Sequence, residues 1–359
     1  MSTVYGYDVK PINDHFVDLA ETAVKPLNNS VLPGAAAVNV FPILRYLPSW
    51  MPGAGFQRTA AECRQLTKQM RELPFEFVKQ NMRDGRDSTS VVAKMLESND
   101  RHDEVLIKEV AGASYAAGSD NTVGVLGSFF QAMVLYPDVQ KKAQIEIDTI
   151  IGTNRLPQFE DRPSLPFVEA VYRELMRWKP VLPLGVPHAT AADDVYNGYF
   201  IPKGATVVSN IWAMTRDESI YPEPESFKPD RFLTKDGKLT DDGSVLAFGY
   251  LLLVPYVARR HNAEDTLWGT IVSVLSTFDI AKAKDAAGNE INVDPSYSDG
   301  FLSRPQSFAC SITPRSETTK DLPFLKPFFF SMLEKFEGDW LPFVATSLPR
   351  FNGANILVE

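Results

Sequence analysis

Cysteine and histidine are scarce in this chain. Two cysteines in 359 residues, Cys63 and Cys310, exclude a disulfide framework, and neither sits in a Cys-x-x-Cys spacing. The four histidines, His15, His102, His188 and His261, stand singly, so a His-rich zinc or iron centre would have to be assembled from distant parts. Clustered positive charge is lacking as well. The formal net charge is -9, and pairs such as Lys141-Lys142 and Arg259-Arg260 read as solvated surface, so no nucleic-acid partner is expected. The first residues show no basic region followed by an apolar run, so a signal peptide is not expected, and the sequon at Asn28-Asn29-Ser30 carries no meaning without secretion. There is no internal repeat. What is present, 44% hydrophobic and 23% charged residues, suits a globular protein with a sizeable core.

Pro11 and Pro26 bracket a helix over 14–24, and a proline-rich, partly buried connector runs on to about residue 52. Amphipathic spacing predicts a charged helix over 56–82 despite Pro74, then a short one over 89–97. Between 110 and 136 the one charged residue is Asp120, which raises a membrane span as an alternative. A membrane-embedded binding protein built on that stretch would need detergent for extraction. The mid-span carboxylate and the interspersed Gly, Ser and Asn favour instead a long central helix over 104–136, buried in a soluble domain and halted by Pro137. Its middle, 116–122, is poor helix sequence, and local weakening of a buried helix marks a site.

Asp138 is expected to cap a helix reaching about residue 151, and Ser164 to cap the next, over 164–180. There Val168, Val171, Tyr172, Leu175 and Met176 recur at helical spacing. Glu174 and Arg177 lie one turn apart off that stripe, which on spacing alone reads as a solvated pair worth about 0.2–0.5 kcal/mol. Beyond residue 180, short β-forming runs at 195–196, 199–201 and 206–208, turned at Asn197-Gly198 and Pro202-Lys203-Gly204, predict one small sheet. A loop over 221–248 follows, then a helix over 265–278 with Leu267, Ile271, Leu275 and Phe278 on one face, and a hairpin around 285–289.

Four stretches, in this order, resemble the cytochrome P-450 family of haem-thiolate monooxygenases, in particular its fungal branch. They are Ala117-Gly118-Ser119-Asp120-Asn121-Thr122 on the central helix, Glu174-Leu175-Met176-Arg177, Phe227-Lys228-Pro229-Asp230-Arg231-Phe232, and Phe308-Ala309-Cys310-Ser311-Ile312-Thr313-Pro314-Arg315. The resemblance implies a mainly α fold with small β-sheets, incomplete at the N-terminus, with residues 1–320 as a partial P-450 domain and 321–359 as an atypical tail containing Phe328-Phe329-Phe330. It implies an oxidoreductase that binds haem b and hydroxylates a hydrophobic small molecule in fungal secondary metabolism or detoxification, using molecular oxygen and electrons from an NADPH-dependent reductase. Asp120, Asn121 and Thr122 would handle oxygen and protons; the family normally has threonine where Asn121 stands. Arg231 would join Glu174 and Arg177 in a buried network, which turns the pair from surface to core. His188 would lie near a haem propionate, with Phe248 and Gly249 opening the ligand loop. The family is typically bound to the endoplasmic reticulum membrane, and no anchor is expected in this chain.

One departure bears on activity. The family's Phe-x-x-Gly-x-x-x-Cys-x-Gly loop begins at Phe248-Gly249-Tyr250 and resumes at Arg260-His261-Asn262, but Leu251-Leu252-Leu253-Val254-Pro255-Tyr256-Val257-Ala258 stands between them. Counting from either side places the expected ligand at Pro255 or near Val257, and neither is cysteine. A shifted splice boundary produces such a replacement, and sequencing the transcript tests it. Cys310, Cys63 and His261 are poor substitutes, so the alternative is an inactive remnant without the axial thiolate, or a non-enzymatic binder of apolar ligands.

Overall fold

The structure, a computed structural model, describes residues 1–10, 14–30, 37–86, 89–98, 103–242, 258–316 and 354–358. The described residues divide into two compact units, one within Met1–Asn121 and one from Thr122 onward.

The first unit is helical. Its elements are α1 (Ser2–Tyr5), α2 (His15–Ser30), α3 (Ala37–Val40), α4 (Gly55–Arg83), α5 (Val91–Glu97) and the first part of α6 (Glu104–Leu135). Tyr5, Leu19, Phe75, Val92, Ile107 and Tyr115 meet in its core. Asp14 begins α2: its carboxylate accepts the backbone N–H groups of Phe16, Val17 and Lys10 and the Tyr7 hydroxyl. Contrary to the sequence reading, α2 does not stop at Pro26 but runs through it to Ser30, its packing along α4 outweighing the N–H bond that proline forfeits and the clash of its ring with the preceding turn. The connector also differs from expectation. Its described part is exposed, with Ile43 75% and Trp50 78% accessible, since a single short turn of 3-10 helix (Pro42–Tyr46) has no second face to bury.

The second unit holds the last part of α6, then α7 (Pro137–Ile150), α8 (Pro166–Trp178), α9 (Ile211–Met214) and α10 (Ala258–Thr277). Glycines let other segments close on α6: an added Cβ at Gly124 would stand 3.1 Å from Val181, and one at Gly127 3.1 Å from Pro305. No described helix is long and apolar enough to cross a membrane. Both predicted caps are corrected. Pro137 and Pro166 occupy the first helical positions, so Asp138 sits inside the first turn of α7, and Ser164 ends a preceding 3-10 turn (Phe159–Ser164). The orphan N–H groups of Phe167 and Val168 are taken instead by the Glu146 carboxylate, at 2.9 Å each.

The predicted single sheet is two separate antiparallel pairs, β1 (His188–Ala189) with β4 (Thr206–Val207) and β2 (Asp194–Tyr196) with β3 (Tyr199–Ile201). Asn197 and Gly198, at φ 51° and 83°, make the tight turn that two positive-φ residues allow. A three-stranded antiparallel sheet follows, ordered β5 (Phe278–Lys282), β6 (Phe308–Pro314), β7 (Ala354–Val358). Phe278, expected at the end of a helix, opens β5 instead, though it is buried as expected with Leu267, Ile271 and Leu275. The outer edge of β5 is closed by α7: the Gln140 amide both donates to and accepts from Ile280, at 2.8 Å each way, and Gln144 donates to Phe278.

Candidate functional site

Helix α8 carries the most deeply buried charges among the described residues. Glu174 is fully buried and Arg177 is 1% exposed. Arg177 binds the carboxylate through two parallel bonds, Nε to Oε2 at 2.7 Å and Nη2 to Oε1 at 2.9 Å, and its Nη1 donates to the Thr215 carbonyl at 2.9 Å. Arg231 adds its Nε at 3.2 Å from both oxygens of Glu174, and the Lys228 N–H donates to Oε1 at 2.7 Å. The other donors of Arg231 reach the carbonyls of Pro222 at 2.9 Å and Glu223 at 3.3 Å. Glu223 has φ 52°, a costly conformation for a residue with a Cβ, and it carries one of the carbonyls that receive the guanidinium. The expected three-member network is therefore formed, and spacing alone misjudged its burial.

Three features of this region escaped the sequence. Arg162 and Arg173 flank a second carboxylate, Glu169, one turn before Glu174. Lys179 and Arg216 share Glu225: burial pushes that carboxyl up, but the two cations outweigh it and hold it below its ordinary range. Burial lowers both Lys179 and Arg216. Finally, Trp178 meets Tyr136 and Phe227 edge-on while those two rings lie tilted against each other, and the Trp178 indole donates to the Glu225 carbonyl at 2.7 Å. The run Arg177-Trp178-Lys179 was the visible signal for the last two features.

The other predicted residues lie as follows. Asp120 and Asn121 are on α6 in the first unit, and Thr122 is the first residue of the second. The Asn121 amide donates to the Ala117 carbonyl, one turn back on the same helix, at 3.1 Å, and its Oδ1 is buried without a partner. His188 is exposed at the start of β1, its Nδ1 2.8 Å from the Val186 carbonyl, so that nitrogen carries the proton. Phe248, Gly249, Pro255 and Val257 lie outside the described residues.

A haem held by thiolate needs a cysteine sulfur as its axial donor, and the donor set here does not fit. No described group of three or more His, Cys, Asp and Glu converges as a metal site. Cys310 is fully buried in β6, and burial pushes its thiol up to about 12, so it stays protonated. Cys63 lies half-buried well inside α4, and its sulfur has the Thr67 hydroxyl 4.0 Å away.

The family model of cytochrome P450 matches residues 2–250. The match ends at Tyr250, just before Leu251. Cytochrome P450 monooxygenase claR of Ampulloclitocybe clavipes is 42% identical over 330 residues, covering 90% of this chain and 60% of the relative. Cytochrome P450 monooxygenase ple1 of Rhodocybe pseudopiperita is 41% identical over 91% of this chain and 65% of its own length. For cytochrome P450 monooxygenase ARMGADRAFT_974139 of Armillaria gallica the values are 40%, 90% and 64%. The chain thus spans 60–65% of the length of these relatives. A mainly helical architecture with small antiparallel sheets, a buried Glu174–Arg177–Arg231 network and matching sequence over most of its length lead to one conclusion: this chain belongs to the cytochrome P450 family, whose cofactor is haem.

Proposed function

We propose that this chain is the scaffold of a haem-dependent monooxygenase acting on a hydrophobic small molecule, in fungal secondary metabolism or detoxification. The observation that carries the reading is the closed network of Glu174, Arg177 and Arg231, which joins α8 to the 222–231 segment in the order of the family's motifs. Molecular oxygen and an NADPH-dependent reductase belong to the proposal as co-substrate and partner. Asp120, Asn121 and Thr122 belong to it as the oxygen- and proton-handling group, His188, Phe248 and Gly249 as residues at the haem edge. Residues 1–320 are proposed as the part derived from the P450 domain, with 321–359 as an added tail.

Titration of the folded chain with haemin tests the reading at its first requirement. Saturable uptake near one equivalent, seen as quenching of tryptophan fluorescence and growth of a Soret band, is the expected result. A chain with native circular dichroism that takes up no haemin would sink it.

A further inference from the structure

The donor set contradicts the family's chemistry at one point, and the inference drawn from that contradiction rests on the scaffold reading above. We propose that neither cysteine of this chain ligates iron, so that haem taken up by the scaffold is held without a thiolate.

Cys310 occupies the middle of the central strand of its sheet. Its backbone pairs with Lys282 on one side and Ile356 on the other. Along β6 the buried positions alternate, Phe308, Cys310 and Ile312, so the sulfur points into the same core as its two apolar neighbours. A planar macrocycle reaching that sulfur would have to displace this core and at least one of the two ladders, at the cost of their hydrogen bonds and buried area. Cys63 has the opposite problem. It is half-buried on a largely polar stretch of α4, among Glu62, Arg64, Gln65 and Lys68, and one turn before Leu66, which packs against the core of the first unit, so a macrocycle reaching the sulfur would meet a charged helix surface and an occupied core face. No other residue of the 359 is a cysteine. The buried network, by contrast, is complete, and so the chain retains the proximal framework and lacks the donor it serves in the family.

The test is the ligation state of the chain after haemin is added. Dithionite reduction and carbon monoxide are expected to give a Soret band of the non-thiolate type. A thiolate-type, red-shifted band that disappears in Cys310→Ser or Cys63→Ser would overturn the proposal. Thiol titration with a disulfide reagent supplies a readout independent of the spectrum. Cys63 is expected to react at the same rate with and without haemin, and Cys310 only after unfolding in urea; haemin protection of either thiol would overturn it. If the folded chain takes up no haemin, the scaffold reading fails, while two thiols unaffected by haemin leave the ligation inference standing.

Discussion

Replacing Glu174 by Gln removes one negative charge from a fully buried site. The carboxylate receives four donor groups: Nε and Nη2 of Arg177, Nε of Arg231 and the Lys228 N–H. A neutral amide accepts through one oxygen, and its NH2 must face a donor. Arg177, 1% exposed, is left as a buried cation whose partners are all neutral: the one amide oxygen, the carbonyls of Thr215 and Ser226, and the Tyr221 ring. Breaking a buried pair from one side costs about 3–5 kcal/mol, which for a unit of this size lowers Tm by roughly 6–20 °C. Urea and thermal unfolding followed by circular dichroism measure both. A companion, Glu174→Gln with Arg177→Met, is expected to cost less than the sum of the single changes, because the second substitution withdraws the stranded charge. A loss below about 1 kcal/mol for Glu174→Gln, the level of an exposed ion pair, would refute the claim that this pair is structural core.

Glycine substitutions on α6 should split by their surroundings. Gly124→Ala and Gly127→Ala meet Val181 and Pro305 at 3.1 Å and are expected to destabilise by about 1–3 kcal/mol, whereas Gly118→Ala, with nothing within 4 Å, should stabilise by up to about 1 kcal/mol. Equal effects in chemical denaturation would contradict the packing. Burial, and then the bond to Asp242, raise the Tyr221 hydroxyl to about 12 from 10.0, so its neutral form contributes stability that is whole below pH 10 and lost as pH rises through about 12. Tyr221→Phe should remove that part of the alkaline unfolding curve; an unchanged curve counts against it. Burial pushes the Asp14 carboxyl up, but bonds from Lys10, Tyr7, Val17 and Phe16 outweigh it and hold it below its ordinary value of 3.8. Its stabilisation is therefore present above that value and lost as pH falls through the lowered one, and Asp14→Asn should flatten the acid limb while costing about 1 kcal/mol at neutral pH. A steeper acid limb in the variant would show the sign to be wrong.

The long helices were legible for different reasons, α4 from its amphipathic spacing and α6 from a long, nearly uncharged run halted by Pro137, and both fall within a residue or two of expectation. Their starts were less so. A proline at the first helical position moves the boundary by one or two residues, and the acceptor for the first N–H groups of α8 is Glu146, a helix away, which no local rule anticipates. The pair of Glu174 and Arg177 shows the limit more sharply. Two residues three apart on a helix look the same in sequence whether they face water or protein, and the residue that decides the matter, Arg231, stands 57 positions downstream. The other partners, the carbonyls of Thr215, Pro222, Glu223 and Ser226, belong to the backbone and leave no trace in residue identity.

That the network is closed by protein atoms alone bears on what its presence says about a P450 chain. Both oxygens of Glu174 are occupied, and Nε, Nη1 and Nη2 of Arg177 all donate to protein acceptors. A polar cluster satisfied in this way has its desolvation offset by protein partners and needs no ligand atom to complete its hydrogen bonds. Its hydrogen bonds therefore hold whether or not haem is bound. The corollary is that the motifs most useful for recognising the family report on folding. They would survive in a catalytically silent chain as readily as in an active one, so activity has to be read from the ligand, where Cys310 is sealed in a sheet and Cys63 stands on a polar helix.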